Sequence, residues 1–206
     1  MRFIGQQHLA DVGFLLCLLA LTSQMGFAGQ CDVALLLEAS RRDAEFTSDF
    51  PGAVPVDAVR VILRNVGRDP IVLVEPGDGS NPPGSRTPIV SWEIERGGRF
   101  SSSGAGGIGC GNRNALTAAE VFDLAPGATH ILGSWVPRLM FPAPGSYRIR
   151  FHYIHDPRLR WTGGPLGVDD EAAMRRIRES MPCDLVSNVI ELTVHPTVKQ
   201  GVRSGP

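Results

Sequence analysis

Apolar and polar residues alternate through most of the chain, and this period of two constrains the fold more than any other feature. The segment 59–64 places three apolar side chains on one face and Arg60 and Arg64 on the other. Because successive side chains of a strand point to opposite faces, such a period predicts half-buried strands. The pattern predicts about eight of them, at residues 32–38, 59–64, 71–74, 90–95, 121–124, 129–135, 147–153 and 190–194.

Turn residues separate the predicted strands, and Pro126-Gly127 and Pro144-Gly145 are two examples. Pro and Gly favour tight turns. Short strands joined by tight turns favour antiparallel pairing, because a parallel pair needs a crossover of about a dozen residues or more. We therefore predict an all-β fold, an antiparallel two-sheet sandwich in one domain spanning residues 29–196.

One segment predicts a short helix. Residues 171–180 begin with an acid and carry arginines further along, which matches the helix dipole, and Asp169 or Asp170 supplies an N-cap. The helix lies in an insertion, residues 156–182, between the last two predicted strands. The Gly/Ser-rich residues 101–114 predict a second long loop, and residues 197–206 predict a disordered tail.

The first 28 residues have the parts of an export signal. Arg2 and His8 give a weakly basic start, residues 12–21 form an apolar run, and small residues precede a cut after Ala28. The run is shorter than the roughly 20 residues that span a bilayer, so we predict a signal peptide over 1–28 and a secreted or periplasmic protein. The alternative is an uncleaved anchor, which would hold the domain at the membrane.

The charge of the chain is nearly balanced. The formal net charge is −1 at pH 7, with 20 Lys and Arg residues against 21 Asp and Glu. Nucleic-acid-binding domains usually carry a basic excess, so this balance argues against a general polyanion binder and predicts no nucleic-acid partner. Lys199 is the only lysine, an imbalance typical of a GC-rich bacterial genome that favours arginine codons.

Three cysteines, Cys31, Cys110 and Cys183, follow the predicted cut. An oxidising compartment would let two of them pair. Cys110 and Cys183 both lie in segments with little regular structure, and a bridge between them would pin two loops. We favour that pairing, although the sequence leaves all three pairings open.

A Pro-Gly-Ser-Tyr segment, residues 144–147, leads into the predicted strand 147–153. It resembles the corner before a late strand of immunoglobulin-like and fibronectin-like sandwiches, in which a Tyr after a Pro-Gly turn ties its hydroxyl to the preceding backbone. The resemblance implies an immunoglobulin-like sandwich whose last two strands flank the insertion. The order of residues 124–127, Trp135 and 144–147 is also similar to that in secreted bacterial sandwiches of proteinase-inhibitor-like type.

His152, His155 and Asp156 form a compact group of residues that can bind metals. On a strand, positions 152 and 155 point to opposite faces, so the two imidazoles converge only if the strand ends or bulges after Tyr153. The group is therefore a candidate metal site. The alternative is that His152 faces solvent and Asp156 opens a turn.

Patterns typical of catalysis are lacking. The chain has no Gly-x-Ser-x-Gly elbow, and a Cys nucleophile in an exported chain would compete with disulfide formation. The glycines around Cys110 lack the lysine and the strand-to-helix setting of a phosphate loop. We therefore predict no enzymatic activity and no cofactor.

Arg158, Arg160 and Trp161 lie together in the insertion. Trp and Arg are enriched in contact hot spots, so these residues form a candidate binding surface. The alternative is that Trp161 packs the insertion onto the sandwich. We expect an exported, non-catalytic binding or accessory domain whose partner is a protein or a component of the bacterial cell envelope. A protease inhibitor is the first alternative, and a metal-binding protein or metal-dependent enzyme is the second.

Overall fold

The computed structural model describes residues 31–47, 52–76, 84–103, 112–133 and 139–196. The predicted signal peptide (1–28), Cys110 and the predicted tail (197–206) lie outside these residues. Within them the chain forms thirteen strands and one α-helix. The elements are β1 (Val33–Ala39), β2 (Asp43–Glu45), β3 (Val59–Asn65), β4 (Ile71–Val74), β5 (Ile89–Arg96), β6 (Arg99–Ser102), β7 (Asn112–Asn114), β8 (Val121–Leu124), β9 (Thr129–Ile131), β10 (Gly145–His155), β11 (Gly164–Leu166), α1 (Glu171–Glu179), β12 (Cys183–Val186) and β13 (Ile190–His195).

Two sheets enclose one apolar core. β1, β3 and β9 form the first sheet, and the second runs β2-β13-β10-β5-β6, with β12 also paired to β10. Leu35 and Leu63 from the first sheet and Ile94 and Leu192 from the second are buried in the same cluster. The all-β class is therefore confirmed. No helix in the described ranges is long and apolar enough to cross a membrane.

β10 is the longest of the described strands, and it shows how the alternation produces this layering. Ile149, Phe151 and Tyr153 are buried, whereas the residues between them are only partly buried. Trp92 of β5 packs edge-on against Phe151, with the ring centroids 4.8 Å apart. Aromatic pairs of this kind contribute about 0.5–1.5 kcal/mol beyond the area that they bury. The strand therefore anchors the core of the second sheet.

Tyr147 closes the corner near the start of β10. Its hydroxyl donates to the carbonyl oxygen of Ala143 at 2.7 Å, the hydrogen bond that the resemblance implies. Its ring lies against Phe141, with the centroids 4.6 Å apart. The corner is thus fixed by both a polar and an apolar contact.

A β-bulge interrupts the pairing of β10 with the last two strands. β10 pairs with β13 over residues 145–149 and with β12 over residues 152–155, so two residues of β10 oppose the three residues 187–189. In the bulge, Asn188 turns its side chain to β1, where Oδ1 accepts from the Leu37 amide at 2.7 Å and Nδ2 donates to the Leu37 carbonyl at 3.2 Å. A bulge commonly re-aims a side chain in this way. Here it links the two sheets.

Two short strand pairs are parallel, β2 with β13 and β7 with β11. The prediction of a wholly antiparallel framework is wrong at these two places. β2 follows β1 closely but joins the second sheet, where it runs beside the last strand. Each pair covers only three residues, which is too short for a period of two to reveal them in the sequence.

Asn65, the last residue of β3, holds the turn between β3 and β4 against the turn between β8 and β9. It is fully buried, and its Nδ2 donates to the carbonyl oxygens of Asp69 and Leu124, both at 2.8 Å. Its Oδ1 accepts from the Gly67 amide at 2.8 Å. The side chain therefore joins the end of β8 to the turn that follows β3.

We expect Asn65→Ala to lower the free energy of unfolding by about 3 kcal/mol, because it removes three hydrogen bonds and leaves buried backbone groups unpaired. Urea denaturation measures the change. The exposed Thr129→Ala is the control and should change stability by less than about 0.5 kcal/mol. Equal stability of the two variants would contradict the role given to Asn65.

Candidate functional site

The insertion, residues 156–182, begins and ends at the same point of the second sheet. His155, the last residue of β10, pairs directly with Cys183, the first residue of β12. Between them the chain forms β11 and α1. The two ends of the insertion are therefore held side by side by the strand ladder.

A small apolar cluster joins the insertion to β4 and β8. Ala173 and Ile177 of α1 are buried together with Val74, Leu116 and Val121. Met174 and Trp161 pack against this cluster while partly buried. The small apolar cluster therefore packs the insertion onto β4 and β8, which explains why so long a segment outside the sheet is ordered.

Polar contacts fix α1 at both ends. Asp170 is the N-cap, and its side chain accepts from the Ala173 amide at 2.8 Å, so one of the two predicted caps is confirmed. Arg176 donates through Nη1 to the Val121 carbonyl at 3.0 Å and through Nη2 to Asp123 at 2.7 Å. The helix is thereby tied to β8 beneath it.

A disulfide joins Cys31 to Cys183, with the Cα atoms 5.3 Å apart. The predicted Cys110–Cys183 pairing is therefore wrong, because the sulfur of Cys183 is already bonded. Cys31 lies just before β1, which packs along β12, so the two cysteines meet where the two sheets approach each other. The bond also fixes the residue at which the insertion returns to the sheet.

His155 is fully buried at the base of the insertion, and both ring nitrogens are bonded. Thr87 Oγ1 lies 3.0 Å from Nδ1 and accepts from the Asp156 amide. Ser180 Oγ lies 2.6 Å from Nε2 and donates its own proton to the Ile177 carbonyl. Nε2 is therefore the donor to Ser180. Because burial lowers the pKa of His155, the ring is neutral near pH 7, so Nδ1 accepts from the Thr87 hydroxyl. His155 thus connects the start of the insertion to its end.

Burial lowers the pKa of His155 to about 4, against a weaker opposing effect from the charge of Asp156. The ordinary value is about 6.5, so as the pH falls the unfolded chain takes up the proton first. The contribution of His155 to stability is complete above about pH 6.5 and is lost as the pH falls through 4.

Between about pH 7 and about pH 4, we expect the free energy of unfolding of the wild type to fall by roughly 3 kcal/mol more than that of His155→Gln. Urea denaturation at each pH measures the loss. His195→Gln, which changes an exposed imidazole, should behave as the wild type does. The same pH dependence in wild type and His155→Gln would contradict the account.

The candidate metal group does not assemble. β10 continues without a break through His155, so His152 lies on the opposite face of the sheet. His152 Nε2 contacts Asp184 at 2.6 Å, and Asp156 accepts from the Arg158 amide at 2.8 Å and so begins a turn. Among the described residues no group of three potential ligands could hold a metal ion. The predicted metal site at these residues is wrong.

Arg113 and Asp169 form a nearly buried, bidentate ion pair between β7 and the insertion. Nη1 and Nη2 of Arg113 lie 2.7 and 2.5 Å from the two carboxylate oxygens. Asp169 also accepts from the Leu116 amide at 2.8 Å. Hydrogen bonding from Arg113 and from Leu116, and the charges of Arg113 and Arg86, hold the pKa of Asp169 below its usual range. The ionised pair fastens the chain just before α1.

A second arginine, Arg86, lies with Arg113 against the ring of Trp161. Its side chain is only 2% exposed, and Nη2 contacts Glu120 at 3.0 Å. The guanidinium carbons of Arg113 and Arg86 lie 4.8 and 5.3 Å from the centroid of the Trp161 ring. Trp161 is therefore a contact for two cations and packs the insertion onto the sandwich.

The three residues of the candidate binding surface are separated. Arg158 and Arg160 are exposed, whereas Trp161 is half-buried against the two arginines and the small apolar cluster. No sequence pattern marks Arg86 or Arg113 as part of a site. Arg113, for example, contacts a carboxylate that lies 56 positions away along the chain. Only the fold brings such residues together.

The outer part of the insertion is an exposed segment, residues 162–168. Leu166 and Val168 are 57% and 90% exposed. At the first residue of the segment the Thr162 amide donates to the Ser85 carbonyl at 2.9 Å, and just after the segment the Asp170 amide donates to the Leu116 carbonyl at 2.9 Å. Both ends are thus fixed while the apolar side chains stay in solvent.

A shallow groove of about 350 Å³ lies beside this segment, lined by Asp169, Glu171, Met174, Arg175 and Arg178. It combines one apolar side chain with charges of both signs. Such a surface has no single electrostatic character. It is better suited to a protein than to a polyanion.

Comparison of the chain with protein-family models, with curated proteins and with solved structures found no match.

Proposed function

We propose that this chain is an exported immunoglobulin-like sandwich that acts by binding a protein or another component of the cell envelope, without catalysis. The contact surface would be residues 162–168 together with the exposed Arg158 and Arg160. We call this set the insertion surface. One observation carries the proposal: the insertion is held at both ends and along α1, yet it leaves Leu166 and Val168 in solvent.

This arrangement favours binding for an energetic reason. Ordering a loop on association costs free energy, and a loop that is already ordered does not incur that cost. The apolar side chains on the insertion surface would lose contact with water only when a partner covers them. Val168 is, at 90%, the most exposed of the large apolar side chains in the described part of the chain, and it lies two residues from the exposed Leu166 on the same anchored segment.

Two further features support the fold and the location. The Tyr147–Ala143 hydrogen bond is the contact expected at the corner of an immunoglobulin-like sandwich. The Cys31–Cys183 disulfide is a bond that persists in oxidising compartments. Together with the apolar run in residues 12–21, it favours export.

To test the binding proposal, the purified domain is used to capture partners from cell-envelope fractions, and the Kd of the captured partner is then measured. We expect Leu166→Ser combined with Val168→Ser to raise the Kd at least about tenfold, because two apolar contacts are lost. We expect Arg158→Ala combined with Arg160→Ala to weaken binding less.

Val66→Ser is the matched control, since Val66 is 62% exposed but lies outside the insertion. It should leave the Kd unchanged, and all variants should keep the thermal stability of the wild type. A Kd that Val66→Ser changes as much as the paired Leu166 and Val168 substitutions would contradict the assignment of the surface.

Protease inhibition is a second candidate, and the form of the exposed segment favours it. Residues 162–168 are all exposed, and β11 within them pairs with β7 through its backbone. An inhibitor needs a segment held extended and open to a protease cleft, with an apolar side chain such as that of Leu166 available to a specificity pocket.

Inhibition assays against serine, cysteine and metalloproteases separate this candidate from other kinds of binding. If Leu166 enters a specificity pocket, Leu166→Gly should raise the inhibition constant by about 100-fold or more. Val66→Gly should leave it unchanged. An absence of inhibition in all three protease classes would exclude the candidate and leave the binding proposal standing.

A further inference from the structure

The groove beside the exposed segment is formed mainly by one face of α1. Four of its five lining residues belong to the helix, namely Glu171, Met174, Arg175 and Arg178, and Asp169 lies just before it. Residues three and four positions apart are neighbours on a helix surface, so these four form one stripe. We call this feature the α1 groove.

Most acidic side chains of the insertion are already engaged within the chain. Asp156 accepts from a backbone amide two residues ahead, Asp169 pairs with a buried arginine, and Asp170 caps α1. These carboxylates are therefore less available to a cation from outside. Glu171 and Glu179, at the two ends of α1, are the exposed acids that remain in the insertion.

The arginines of the insertion are mostly free. Arg176 contacts Asp123, but no ion pair with a described residue is formed by the other four, which are all exposed: Arg158, Arg160, Arg175 and Arg178. The insertion contains five arginines and five acids. Because the acids are engaged and the arginines are not, the charge that it offers to a partner is positive.

The spacing of the two arginines in the α1 groove suits an extended peptide. Arg175 and Arg178 are three positions apart, which places their Cβ atoms about 5–6 Å from each other. In an extended chain, side chains two positions apart lie on the same side at about 6.5–7 Å. Two carboxylates separated by one residue can therefore reach both guanidinium groups. Met174 provides an apolar contact beside them, and a methionine adapts to apolar side chains of different shape.

We propose that the α1 groove binds an extended acidic segment of a partner protein, with two carboxylates on Arg175 and Arg178 and an apolar side chain against Met174. The proposal rests on the binding function proposed above and gives the partner a chemical class. An anionic membrane surface would meet the carboxylates of Asp169 and Glu171 together with the arginines. A peptide instead places its carboxylates at the basic end of the groove alone, so charge complementarity favours the peptide.

The test is selection of short random peptides, displayed on phage, against the purified protein. We expect the enriched peptides to carry Asp or Glu at two positions separated by one residue, with an apolar residue in the same stretch. Added NaCl should weaken their binding, because the contacts are ionic and lie at the surface.

The Kd of an enriched peptide is then measured by fluorescence anisotropy. Arg175→Gln combined with Arg178→Gln should raise the Kd about tenfold, since two charge-assisted hydrogen bonds are lost. Glu171→Gln should lower it about twofold, because it removes a carboxylate that repels the peptide.

Arg41→Gln combined with Arg68→Gln is the matched control, because it removes the same charge at two exposed arginines outside the insertion. It should leave the Kd unchanged within about twofold. Enriched peptides without the pair of acids would overturn the proposal, and so would a Kd that the two double variants raise equally.

Binding to vesicles of phosphatidylglycerol and phosphatidylcholine is measured with the same variants. Vesicle binding that the Arg175 and Arg178 substitutions abolish, with no enrichment of acidic peptides, would assign the groove to a membrane surface and overturn the proposal.

The same variants separate this proposal from the binding function itself. If a partner captured from cell-envelope fractions depends on Leu166 and Val168 but not on Arg175 and Arg178, the binding function stands and the acidic class is wrong. A partner that depends on none of these four side chains would contradict both.

Discussion

The junction of β10 with β12 is the constraint on which the rest of the structure depends. There His155 pairs with Cys183, the disulfide from Cys183 reaches Cys31, and the buried imidazole bonds Thr87 and Ser180. These contacts bring the two ends of a long insertion to one point of the second sheet. Because the ends are fixed, the small apolar cluster, the Arg113–Asp169 pair and the cap of α1 can form without a large further loss of chain entropy.

The proposed binding function depends on how the insertion divides its side chains. Ala173, Ile177 and Trp161 face the sandwich and provide the packing that holds the insertion in place. Leu166 and Val168 face solvent on a segment whose two ends are hydrogen-bonded. A binding element of this kind combines an ordered support with apolar side chains that are left in solvent.

The sequence predicts the framework well and the site poorly, for a physical reason. The period of two located β3, β5, β10 and β13 to within about two residues, because side-chain alternation is a local property of a strand. The Asp170 cap was also local. The Cys31–Cys183 bond and the contacts of Trp161 with Arg86 and Arg113 depend instead on which strands become neighbours. Likewise, His152 and His155 could be placed on opposite faces only once β10 was known to continue through His155.

Native-state hydrogen exchange tests the central claim, that the insertion is an ordered part of the domain, most directly. The amides of α1, including those of Met174 and Ile177, should be protected within about tenfold of the amides of β10, because they open only when the small apolar cluster and the base of the insertion open. Exchange of the α1 amides at nearly unprotected rates, with β10 still protected, would mean that the insertion moves independently of the sandwich. The account of a pre-ordered binding surface would then be wrong.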